Sequence, residues 1–79
     1  MCKWDIEYTD TFGGEANYCW VRRETIDLPD GSKQRAIMRA AKAAIGLTGL
    51  RGRTENFGDE IRFYPAGHAT VMFVSWHDR

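Results

Sequence analysis

No apolar run in the chain approaches the roughly 20 residues of a membrane span, and the start Met1-Cys2-Lys3-Trp4-Asp5 lacks the apolar core of a secretory signal. A membrane partner is excluded on this reading, and a cytoplasmic location is expected. Cysteine is scarce: Cys2 and Cys19 could make one disulfide in an oxidising compartment, and without a sign of export they are expected as free thiols. With His68 and His77 they complete a Cys2His2 inventory, but close ligand pairs such as C-x2-C are missing, so neither a metal nor another cofactor is expected. The phosphate-loop pattern G-x4-G-K-[ST] is absent, as are repeats, low-complexity tracts and linkers. At 79 residues there is no room for a second domain, so residues 1–79 read as one. Net charge is also missing, with eleven basic side chains against eleven acidic ones.

What is present is the signature of a small sheet with one helix. Trp4, Ile6 and Tyr8 alternate with Asp5, Glu7 and Thr9, the period of a strand with one buried face. A glycine-bearing connection over Asp10–Ala16 leads to a second strand from about Asn17 to Leu28, whose broken alternation calls for a bulge or twist near Arg22 and Arg23. Pro29-Asp30-Gly31-Ser32 is a turn, with Asp30 or Ser32 as cap of a helix running from about Lys33 to Ile45 and stopped by Gly46. Ile37, Ala40, Ala41, Ala44 and Ile45 gather on one side of that helix, and Arg35, Arg39 and Lys42 on the other. Leu47–Arg53 reads as a loop and Asn56–Asp59 as a turn, followed by a strand containing Ile61 and Phe63, a turn at Pro65–His68, and a strand from Ala69 to Trp76. The last strand is apolar on both parities and is expected at the centre of the sheet. The expected class is α+β: a four-stranded, mainly antiparallel sheet with one helix on one face, in the order β-β-α-β-β.

One helix covers one face, so the other needs an occupant. If Tyr18 and Trp20 share it with Met72, Val74 and Trp76, an apolar patch is exposed, and a homodimer or a weakly self-associating monomer using that open face is expected. The charges supply a second candidate surface, because residues 31–53 hold six bases and no acid while residues 1–30 hold seven acids and three bases. Arg35 with Arg39 and Arg39 with Lys42 are like-charged neighbours on the helix, each worth a few tenths of a kcal/mol of repulsion. Arg35, Arg39, Lys42, Arg51 and Arg53 are therefore the expected basic contact face. No catalytic set emerges: Ser32 and Ser75 fit cap and strand roles, the carboxylate pairs Asp5/Glu7 and Asp59/Glu60 fit solvated positions, and no enzyme activity is expected.

The run Tyr8-Thr9-Asp10-Thr11-Phe12-Gly13-Gly14-Glu15-Ala16-Asn17-Tyr18-Cys19-Trp20-Val21-Arg22-Arg23 resembles the N-terminal signature of very short proteins encoded by bacteriophages and prophages. In size and architecture the chain is similar to the anti-CRISPR inhibitors of type I effector complexes found among them. The resemblance implies a protein of the host cytoplasm that binds a Cascade-type complex and blocks target-DNA binding; it carries no site residues with it. The alternative is a small nucleic-acid-binding module, with the five bases on phosphates and sheet aromatics stacked on bases. Zero net charge disfavours the alternative, and no tight binding to free nucleic acid is expected.

Overall fold

The computed structural model describes residues 2–76. A hairpin of β1 (Cys2–Phe12) and β2 (Glu15–Leu28) leads to α1 (Gln34–Ile45), and a meander of β3 (Gly52–Asn56), β4 (Glu60–Pro65) and β5 (Thr70–Trp76) follows. The sheet has five strands in the order β2-β1-β5-β4-β3, every neighbouring pair antiparallel. α1 crosses one face from the β2 edge to the β3 edge, and the meander then walks inward until β5 pairs with β1. The last strand is central for that reason, as its two apolar parities imply.

The α+β class holds, but the expected four strands become five. β3, Gly-Arg-Thr-Glu-Asn, has no apolar alternation to betray it; its conformation is imposed by pairing with β4. Gly52, expected in a loop, opens it, and a Cβ at that position would run into the Tyr64 carbonyl oxygen of the adjacent strand. The β1–β2 connection is also tighter than Asp10–Ala16, because the strands continue to Phe12 and from Glu15 and leave Gly13-Gly14 at positive φ as the turn.

α1 starts one residue later than expected, and neither Asp30 nor Ser32 caps it. Lys33 occupies the cap position without a side-chain bond, while the Ser32 hydroxyl donates to the Pro29 carbonyl at 2.6 Å and closes the preceding turn. The other end is as expected: Gly46 is left-handed at φ 92°, and its N–H and that of Leu47 both donate to the Lys42 carbonyl. Arg22 of β2 adds a bond to the Ile45 carbonyl at 3.0 Å, tying helix to sheet edge.

The hydrophobic core of the described residues lies between α1 and the sheet. Ile37, Met38, Ala41 and Ile45 of the helix, with Leu47, meet Ile6, Ile61, Phe63, Met72 and Val74, and Trp4, Tyr8, Ile26 and Leu28 border the cluster. Met72 and Val74 are fully buried, so they cannot belong to an open face. The reason is parity: on β5 the helix-facing set is Met72 and Val74, and the set on the opposite face is Val71, Phe73 and Ser75, of which Val71 is buried beside the fully buried Thr9.

Candidate functional site

Three surfaces carry the chemistry. The first is the outer side of α1, where Arg35, Met38, Arg39 and Lys42 join Thr48 and Gly49 around a shallow groove of 450 Å³. Arg35 and Arg39 are exposed, and with Lys33 they form no salt bridge to any acid among the described residues. The first turn of α1 contains no acid either, so Lys33 and Arg35 face the positive end of the helix dipole uncompensated. Lys42 differs from its neighbours. It is half-buried, donates to the Leu50 carbonyl at 3.1 Å and lies 4.1 Å from the Phe63 ring centroid, which makes it a brace between helix and sheet as well as a wall of the groove.

The other two expected bases leave this face. Arg51 is exposed in the loop before β3, and Arg53 sits on the far side of the sheet, 4.5 Å over the Tyr64 ring and 3.7 Å from Glu55. The five bases therefore do not form one surface. Sequence order alone put them in one block, and strand parity separates them: Thr54 lies opposite the buried Phe63 on the helix side, so its neighbour Arg53, opposite Tyr64, turns to the other face.

The second surface is the sheet face without a helix, and it is not the apolar patch expected of it. Cross-strand register puts Arg23, Glu7, Phe73, Arg62 and Glu55 in one row across all five strands, and Thr25, Asp5, Ser75 and Glu60 in the next. Residues directly opposite share a face, so each row is one line of neighbouring side chains. Arg23 Nε donates to Glu7 at 3.0 Å, Arg62 Nε to Glu60 at 2.7 Å, and Thr25 Oγ1 to Asp5 at 3.1 Å. Arg62 also stacks over Phe57 and Phe73, at 4.7 and 5.3 Å from their centroids, and its bond to Glu60 raises its pKa. A hollow of 690 Å³ lies above these rows, with Tyr18 and Gly14–Ala16 of the hairpin end as further walls.

The third is the hairpin end itself. After Thr9↔Val21 the register jumps to Thr11↔Ala16, so residues 17–20 bulge against Asp10 alone. The expected bulge exists, shifted from Arg22 and Arg23 toward the turn. It is organised by two adjacent side chains. The fully buried Thr9 hydroxyl accepts from Tyr18 N–H at 3.1 Å and shares its proton between the Trp20 carbonyl at 2.8 Å and Asp10 Oδ1 at 3.2 Å. Asp10 accepts from the Asn17 amide at 3.0 Å and from Cys19 N–H at 2.9 Å. The Asn17 bond is the main cause of an Asp10 pKa below the ordinary carboxylate value, with Cys19 N–H and the Thr9 hydroxyl adding to it.

In the bulge Tyr18 takes φ 56°, left-handed for a residue with a Cβ. Its phenol donates to Glu7 at 2.8 Å, and that bond pushes its pKa up. Trp20 turns to the opposite side, edge-on to Tyr8 at 5.3 Å and 62°. The structure thus separates the five residues expected on one apolar face: Tyr18 borders the polar face, Trp20 packs on the helix side, Met72 and Val74 are in the core, and Trp76 stands opposite Trp4 at the sheet end, half exposed.

Glu7, Arg23, Glu55, Arg62 and Phe73 were missed as a set. Their only sequence signal is the polar parity of β1 and β4, and pairing alone joins them. Neither cysteine is in a disulfide: Cys2 is half-buried and its thiol donates to Asp30 Oδ1 at 3.3 Å, and Cys19 is exposed; His77 lies outside the described residues. Among the described residues no cluster of three or more His, Cys, Asp or Glu is placed to hold a metal ion, and no helix is long and apolar enough to cross a membrane. No family model, curated protein or solved structure matches the chain.

Proposed function

We propose that the chain is a non-enzymatic binding protein acting in a host cytoplasm, and that, as its resemblance to short phage proteins suggests, it docks on a type I CRISPR effector complex and blocks target-DNA binding. The observation that carries a binding role is the α1 groove, where Arg35 and Arg39 stand exposed, with Lys33 just before the helix, and form no salt bridge to a described acid. Nothing local offsets their mutual repulsion or the helix dipole. An acidic surface on a partner would supply the missing charge, while the acids elsewhere on the chain discourage indiscriminate attraction to phosphate.

The test is co-elution with a purified type I effector complex, followed by target-DNA binding by that complex. Wild type is expected to co-elute and to abolish DNA binding, and R35E/R39E to remain folded and lose both. Retention of full inhibition by the folded double variant would remove the groove from the interface. Submicromolar binding to bare duplex, with a log-log salt slope of about −0.9 per contacted phosphate, would instead establish the nucleic-acid-binding alternative.

A further inference from the structure

We infer that the helix-free sheet face is the contact surface of a weak, isologous dimer with a second copy of this chain, through a charge row that is its own complement. Read across the sheet from β2 to β3, the row Arg23–Glu7–Phe73–Arg62–Glu55 runs positive, negative, neutral, positive, negative. Place two such faces together about a twofold axis that lies between them, parallel to the central strand β5. The axis sets β1 over β4 and β2 over β3 of the other copy, and it reverses the row. Glu7 then faces Arg62 of the partner subunit, Arg23 faces Glu55 of the partner subunit, and Phe73 faces Phe73 of the partner subunit across the axis, with the hollow between them. All four charged pairs across the axis are of opposite sign. The row is centred on the middle strand of five, and this centring makes the reversal exact in strand number.

The adjacent row limits the affinity. Its reversal puts Asp5 over Glu60 of the partner subunit, a like-charged pair, although at home Asp5 accepts from Thr25 and Glu60 from Arg62. Area limits it as well. Five strands about 4.8 Å apart, over six or so residues of length, offer on the order of 400 Å² of sheet plane per copy, short of the roughly 1,200 Å² in total at which stable complexes begin. The hollow above the rows stays hydrated, and water-bridged contacts serve a polar interface of this kind. Both α1 grooves point outward in the dimer, so it neither requires nor blocks the proposed function.

Sedimentation of the wild-type chain is expected to show reversible dimerisation toward millimolar concentration in about 0.01 M salt, where the Debye length is ~30 Å, and its loss in about 1 M salt, where it is ~3 Å. Amide shifts of the same wild-type chain should move with concentration on Phe73 and Ser75 and stay fixed on the outer side of α1. R23E and E55R are each expected to weaken dimerisation at least about tenfold, equivalent to 1.4 kcal/mol, and R23E/E55R to recover it. The two positions lie on opposite edges of the sheet, about 19 Å apart at four strand spacings, so rescue cannot arise within one copy. D5N should tighten the dimer. A strict monomer at millimolar concentration in low salt overturns the proposal, as does failure of the double swap to rescue when its melting curve shows a folded chain. Concentration-dependent shifts on α1 instead of β5 would overturn it without any variant.

Discussion

Replacing Thr9 by valine keeps the shape of a fully buried side chain and deletes the hydroxyl on which the bulge is built. Three contacts go at once: Tyr18 N–H loses its acceptor at 3.1 Å, the Trp20 carbonyl loses its donor at 2.8 Å, and Asp10 loses the 3.2 Å contact. Orphaning a buried polar group costs about 1–3 kcal/mol. Tyr18 and Trp20 are themselves about half exposed, so water reaches part of the vacated backbone and the lower part of that range applies. The left-handed Tyr18, which disfavours the bulge by about 1–2 kcal/mol, then lacks one of its restraints. T9V is therefore expected to lose about 1–2 kcal/mol, near 5–12 °C in Tm for a domain of this size. The local readout is sharper: the Tyr18 amide should lose its protection from hydrogen exchange, while amides in the Ile61–Val74 register keep theirs. T9S, which retains the hydroxyl, should preserve Tyr18 protection even where loss of the methyl lowers stability. If T9V melts within about 1 °C of wild type and leaves Tyr18 protected, the hydroxyl does not organise the bulge.

Met72→Ala is expected to cost about 2–5 kcal/mol, enough to unfold much of the population in a denaturant melt, whereas a residue on an open face would change it little. Gly52→Ala should detach β3 from β4, because the new Cβ meets the Tyr64 carbonyl; unchanged exchange protection along Thr54–Asn56 would refute this. Asp10 has a folded pKa below its unfolded one, so its contribution to stability is present above the ordinary carboxylate value and disappears as pH falls through the lowered one. Asn17→Ala should raise the Asp10 pKa in a carboxyl NMR titration and move that loss to higher pH; an unshifted titration would rule out the Asn17 bond as the main cause.

Elements with a strong local signal were legible in the chain. Alternation in Trp4–Thr9 and Ile61–Tyr64, the alanine stripe ended by Gly46, and the doubly apolar Val71–Trp76 each follow from burial of one stripe or one face, a property of near neighbours in sequence. They are sufficient for an α+β domain with β5 at its centre. β3 was not legible because Gly-Arg-Thr-Glu-Asn has no buried face to advertise, and only the backbone of β4 holds it extended.

The surfaces depended on tertiary structure more heavily. Charge counting found the basic block, but alternation along β3 turned Arg53 to the sheet face opposite the one that carries α1, Arg35 and Arg39. Parity within β2 suggested that Tyr18 and Trp20 share a face, and a bulge set by Thr9 and Asp10, eight or more residues upstream, sent them to opposite ones. Register is a relation between strands: Glu7 has Arg23, sixteen residues away, on one side and Phe73, sixty-six residues away, on the other. No local pattern encodes such a row, because its energy comes from long-range pairing that exists only once the sheet has closed around β5.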